Sequence, residues 1–235
     1  MQDFVAKVLG HRDLRRMGHA QRAEDQNLGL GWLYYALGRI VRPTKVLVIG
    51  SYRGFAPLMF AKAVADNLEG GEVIFVDPSL VDGFWRDPEA VRAHFAEFGL
   101  TNIRHHRMTT QEFVETETYR ALDGLGIVFV DGLHTEAQAR FDFEAFKDKL
   151  APEGIILLHD SRRIKLSTLY GEGKHYEHGV KHFTDHLKTV ADYEAFDLPF
   201  GEGVTLVRRA TVPESAKEAE APRAIAAASQ ASAVA

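Results

Sequence analysis

There is no cysteine among the 235 residues. A disulfide and a thiolate-held metal are therefore both closed to this chain. Long apolar runs are missing as well; none approaches the roughly 18 residues of a membrane span. Basic clusters are scarce. Lys and Arg number 28 against 33 Asp and Glu, for a formal charge of −5. That balance argues against nucleic acid as the main partner, because phosphate binding needs a basic footprint. Met1-Gln2-Asp3 has no basic stretch leading into an apolar one, so no signal peptide is read there and the expected location is cytoplasmic. What is present is a core. Hydrophobic residues make up 46% of the chain, and the length suits one large α/β domain with additions.

The chain is organised around Lys45–Gly54, Lys-Val-Leu-Val-Ile-Gly-Ser-Tyr-Arg-Gly. A β-branched run, Val46–Ile49, stops at Gly50, and Phe55–Leu68 reads as a helix. A strand ending in a glycine turn and feeding a helix leaves backbone N–H groups free for a polar or anionic ligand. A second apolar run, Val73–Val76, ends in Asp77, where an acid suits a ribose diol. The turn Gly50-Ser51-Tyr52-Arg53-Gly54 lacks the middle glycine of the dinucleotide fingerprint. Tyr52 would obstruct a pyrophosphate, so a nucleoside cofactor without phosphates is expected.

Around this turn the pattern alternates. Residues 1–40 read as helical, with an aromatic helix over Leu28–Val41 ended by Pro43. Beyond the first two strands, the spacing predicts helix Pro88–Phe98, strand Asn102–His106, helix Thr110–Tyr119 and strand Ile127–Val130. Helix Thr135–Leu150 and strand Ile155–Leu158 follow. Short apolar strands between helices imply a parallel sheet covered on both faces. Tyr193–Leu198 and Val204–Arg208 are joined by five residues, which only antiparallel neighbours allow. Arg162–Lys174 reads as a loop able to close over substrate. His178, His182 and His186 share one side of a helix opposite Val180, Phe183 and Leu187; that side is read as solvated. The expected units are a helical cap over 1–43, a Rossmann-like domain over 44–210, and a tail over 211–235 too poor in apolar residues to order. The cap is read as packing or dimer contact, its aromatic helix inviting a homodimer.

The wording Ile-Gly-Ser-Tyr-Arg-Gly-Phe resembles motif I of the class I S-adenosylmethionine-dependent methyltransferases, and most resembles their O-methyltransferase subgroup. The resemblance implies an α/β fold with a doubly wound, mostly parallel seven-stranded sheet. Its strand order would be 3-2-1-4-5-7-6, with the last strand antiparallel. It implies S-adenosyl-L-methionine as cofactor and methyl transfer to a hydroxyl of a small molecule. Gly50, Ser51, Tyr52, Gly54, Asp77, Met108 and Asp131 would contact the cofactor. The runs Ile127–His134 and Leu150–Asp160 resemble the fourth and fifth motifs of the group. In its metal-dependent members, Asp131, Asp160 and the position of Ser161 match the metal ligands, and His134 falls where a lysine acts as base. A divalent ion such as Mg²⁺ is then expected on Asp131, Asp160 and His159, with His134 and Asp131 as catalytic groups. Val48 and Ser161 depart from the group's pattern. They keep open a non-catalytic nucleoside-binding or interaction module. A nucleotide-dependent oxidoreductase is disfavoured by Tyr52 and by the closing hairpin.

Overall fold

The computed structural model describes residues 1–169, 171 and 173–211. The expected tail falls almost wholly outside them. One sheet of seven strands carries the fold, in the order β3-β2-β1-β4-β5-β9-β8. Its strands are β1 (Lys45–Ile49), β2 (Glu72–Val76), β3 (Ile103–His106), β4 (Leu125–Val130), β5 (Leu150–His159), β8 (Tyr193–Leu198) and β9 (Val204–Arg209). β1 to β5 run parallel, and β9 lies antiparallel to both β5 and β8. The expected order is borne out: β8 and β9 are the sixth and seventh strands of this sheet.

Alternation along the strands divides the core into two faces. Val46, Val48, Phe75, Phe129 and Leu157 enter one cluster; Leu47, Ile49, Ile74, Val130 and Leu158 enter the other. The first face is covered by α1 (Gln2–Gly10), α2 (Leu30–Val41), α3 (Phe55–Asp66) and α4 (Pro88–Ala96). The second is covered by α5 (Thr110–Phe113), α6 (Glu117–Arg120), α7 (Glu136–Phe146) and α8 (Val180–Leu187). Tyr34 of α2 stacks on Phe60 with ring centroids 5.6 Å apart and meets Phe129 edge-on at 4.8 Å. The aromatic helix thus belongs to the core.

Three local expectations change. Residues 11–29 form turns rather than helix: His19, Ala20, Gln26 and Gly29 take positive φ, and Arg22 bridges Asn27. The helix expected over Thr110–Tyr119 splits into α5 and α6, because the Thr116 side chain accepts from the Tyr119 N–H and starts a new helix. The expected loop after β5 contains half of a two-stranded sheet, β6 (Lys165–Ser167) paired antiparallel with β7 (Tyr176–His178). His178 is therefore on a strand, and α8 starts after it.

Candidate active site

The cofactor-type cleft opens at the carboxyl ends of β1, β2 and β4 and encloses about 660 Å³, within the usual range for small-molecule sites. Gly50 ends β1 with φ +72°, and a Cβ there would lie 2.4 Å from the Asp131 carbonyl oxygen. Only glycine lets the β1 and β4 ends approach this closely. Asp77 closes β2. Its Oδ2 accepts from the Ser51 N–H at 3.0 Å and its Oδ1 from the Ser79 N–H at 2.7 Å. Burial raises its pKa, in part against these two bonds. Trp85 is buried beneath the turn and donates its indole N–H to the Ser51 carbonyl at 3.1 Å. The turn is thus pinned from two sides.

Gly50, Ser51, Tyr52, Asp77, Met108, Asp131 and His134 all line this cleft. Gly54 does not; it caps α3 in the left-handed region, and a Cβ there would meet the Trp85 ring at 2.8 Å. Tyr52 is 44% exposed, with the Arg53 guanidinium 3.7 Å over its ring. Asp142, on α7, also reaches the cleft wall. It is fully buried, and burial raises its pKa to about 7 despite bonds from Thr110 and Gln138. Its Oδ2 has no hydrogen-bond partner among the described residues.

Beyond the Asp131 rim lies a cluster of imidazoles and carboxylates at the ends of β4, β5 and β7. His159 Nδ1 lies 2.8 Å from Asp131 Oδ1 and 3.1 Å from Asp160 Oδ1. Burial would lower the His159 pKa, but the carboxylates of Asp131 and Asp160 outweigh it and raise the value to about 9. His159 is therefore an imidazolium bridging two anions. Burial alone would raise the pKa of Asp160, but the charged His159, with Lys165 beyond it, holds it low. His134 Nε2 is 3.8 Å from Asp131 and 3.9 Å from Asp160, and burial lowers its pKa, leaving it neutral at pH 7. His178 Nδ1 is 3.4 Å from Asp160 Oδ2. Burial, then the neighbouring His134, lowers its pKa to about 4. His19 comes from the N-terminal segment, with its ring 5.6 Å from that of His159.

Asp131, His134, His159 and Asp160 are thus brought together as expected. Ser161 is buried, and its hydroxyl accepts from Thr205 at 2.8 Å. Val48 is fully buried in the core, so no acid stands there. Sequence reasoning missed His178, His19, Trp85 and Asp142. The histidine-rich run signalled His178, but its i, i+4 spacing assigned it to a solvated helix face. His19 and Trp85 carry no local signal, because tertiary packing alone delivers them.

A family model described as a methyltransferase domain matches residues 47–161. Solved structures share the fold. A methyltransferase from Geobacter sulfurreducens is 22% identical with a TM-score of 0.57, covering 77% of this chain and 79% of that one. The O-methyltransferase TomG from Streptomyces achromogenes, involved in tomaymycin synthesis and solved with SAM, is 17% identical with a TM-score of 0.61, over 89% and 90% of the two chains. An O-methyltransferase from Bacillus cereus, solved with SAH, is 13% identical with a TM-score of 0.62, over 88% and 91%. The uncharacterized protein y4gI of Sinorhizobium fredii (strain NBRC 101917 / NGR234) is 29% identical over 135 residues, 55% of this chain; the match spans 14% of that relative's length.

Proposed function

We propose, from the match of residues 47–161 to a family model described as a methyltransferase domain, that this chain moves the methyl group of S-adenosylmethionine to an oxygen of a small hydroxylated molecule. The observation that carries this reading is the junction at Asp131. That residue borders the glycine-turn cleft and lies 2.8 Å from the His159 ring of the cluster behind it. A cofactor pocket and a proton-accepting cluster meet at one carboxylate.

The residues fit the cofactor. Glycine at 50 lets the β1 and β4 ends close against each other, where any Cβ would strike the Asp131 backbone, and so sets the floor of the cleft. Asp77 has lone pairs left over from Ser51 and Ser79 to accept from ribose hydroxyls. The orphaned Oδ2 of Asp142 suits an exocyclic amino group of adenine, beside Met108 and Thr109. When bound, the cofactor supplies a methyl on a sulfonium, whose S–C electron pair stays on sulfur as the O–C bond forms. This chain's part is to align an acceptor hydroxyl at the Asp131 rim and to take its proton into the cluster. His134, neutral and on the cleft wall, is the member that faces the acceptor.

Buried Val48 favours a second reading, a nucleoside-binding module without turnover. Calorimetry with S-adenosylhomocysteine and NAD separates the outcomes. Heat from the first alone, weakened at least tenfold by Asp77→Ala, supports a methyltransferase-type site. Labelled methyl from S-adenosylmethionine appearing on a hydroxylated acceptor supports the enzyme. Binding without any transfer favours the module, and silence with S-adenosylhomocysteine overturns both.

A further inference from the structure

We infer that His134, Asp160 and His178 form a binding site for a divalent first-row transition ion. They come from the β4–α7 loop, the end of β5 and the end of β7, and their ligand-capable atoms all lie within 4.8 Å of one another. His134 Nε2 and His178 Nδ1 face the same oxygen, Asp160 Oδ2, at 3.9 and 3.4 Å. Those separations are close to the roughly 3.4 Å edge of a tetrahedron whose arms are 2.0–2.1 Å long. The backbone ties the two histidine segments together, since the Gly179 N–H donates to the His134 carbonyl at 2.8 Å.

A second observation is independent of the spacing. The His178 side chain is 7% exposed, yet neither ring nitrogen makes a hydrogen bond among the described residues. A buried imidazole with both nitrogens idle is costly. A cation held between it and Asp160 would use the lone pair now facing the carboxylate. Asp160 is also presented for the task. Its φ of +53° is the strained left-handed conformation that accumulates at functional sites. The charged His159 ring lies 3.1 Å from the other Asp160 oxygen, Oδ1, and leaves Oδ2 to the two neutral histidines.

This site differs from the one the family resemblance implies on Asp131, Asp160 and the position of Ser161. Asp131 Oδ1 is taken by His159 at 2.8 Å, and the Ser161 hydroxyl is bonded to Thr205. The donor set shifts toward β7 and becomes two imidazole nitrogens and one carboxylate oxygen. Such a set selects Mn²⁺, Fe²⁺, Co²⁺ or Zn²⁺ over Mg²⁺ and Ca²⁺, which prefer all-oxygen shells. The ion's use in gripping an acceptor hydroxyl, where it would lower the hydroxyl's pKa in place of His134 acting as a free base, rests on the methyl-transfer reading; its binding does not.

The test is a Co²⁺ titration of the chelator-treated full chain, followed by visible absorption, with S-adenosylhomocysteine binding measured on the same sample. Saturable uptake with a visible ligand-field band is expected, unaffected by a tenfold excess of Mg²⁺. His178→Ala should weaken uptake at least tenfold, and Asp131→Asn by less than threefold. His178→Cys should keep the ion and add a sulfur-to-cobalt charge-transfer band, which a variant that merely misfolds would not give. Absence of uptake by the wild type, equal uptake by His178→Ala, or a loss in Asp131→Asn matching that in His178→Ala would overturn the site. Homocysteine-nucleoside binding in a protein that takes up no cobalt sinks this inference alone. Cobalt uptake without nucleoside binding sinks the methyltransferase reading and leaves the ion site standing.

Discussion

Gly50 and Gly70 have nearly the same backbone, with φ of +72° and +67°, in opposite surroundings. A Cβ at Gly50 would strike the Asp131 backbone, whereas nothing lies within 4 Å of one at Gly70. Left-handed strain is common to both and costs about 1–3 kcal/mol; crowding is added at Gly50 alone. Gly50→Ala is therefore expected to lose more stability in urea than Gly70→Ala and to abolish S-adenosylhomocysteine binding, while Gly70→Ala keeps it. Asp142 makes a different residue-level prediction. Burial pushes its carboxyl from the ordinary 3.8 up to about 7 in the native protein. Between those values the native state holds a proton that the unfolded chain has released. Stability must then fall as pH rises through that window, and level off above it. At 1.36 kcal/mol per unit the loss is roughly 4 kcal/mol or less. Asp142→Asn should flatten the fall between pH 4 and 7 in urea titrations and be the more stable protein at pH 8; superimposable pH profiles would refute the assignment.

At the scale of elements, much was legible because the signals are local. Val46–Ile49 and Ile127–Val130 are short apolar runs that only a strand buried on both faces uses, and Gly50 and Asp77 punctuate the turns beyond them. Boundaries set by competition were not legible. Thr110–Tyr119 has helical spacing throughout, but Thr116 caps a new turn and wins over continuation. His178 illustrates the other limit. Its strand has three residues and exists through pairing with Lys165–Ser167, so no periodicity announces it. The His-Asp cluster was partly readable, since His134, His159 and both acids sit at strand ends; its third wall arrives from the hairpin. The same competition makes the caps testable. Thr109 forms a capping box with Glu112, accepting from its N–H at 3.2 Å while the Glu112 carboxylate accepts from the Thr109 N–H at 2.8 Å. Thr109→Ala should cost about 1 kcal/mol in chemical denaturation. It should also weaken S-adenosylhomocysteine, because Thr109 lies on the cleft wall. An unchanged denaturation midpoint would show that α5 is held by Phe113 alone.

For the molecule as a whole, the question is whether the N-terminal segment is a separable cap. Phe4, Val5, Val8 and Leu9 of α1, with Leu14, Leu28 and Tyr34, share one buried cluster with β1, β4 and α3. Phe4 meets Phe98 beyond α4, and Tyr34 meets Phe129 in the central strand. Such continuity couples the segment to the sheet, so calorimetry should give one endotherm, and Phe4→Ala should lower the same transition that Phe129→Ala lowers. Ligand linkage then reports on the whole chain through that transition. Anything that binds the folded state alone stabilises it by RT ln(1 + [L]/Kd), about 2.7 kcal/mol at a hundredfold excess over Kd. For a domain of this size each kcal/mol moves Tm by about 2–4 °C. S-adenosylhomocysteine at that excess should therefore raise the single transition by roughly 5–10 °C. Residues 1–43 should rise with it, although none of them lines the cleft. If the ligand instead split the endotherm, leaving a low-temperature component sensitive to Phe4→Ala, the segment would be an independent unit and its core contacts would not couple it to the cofactor.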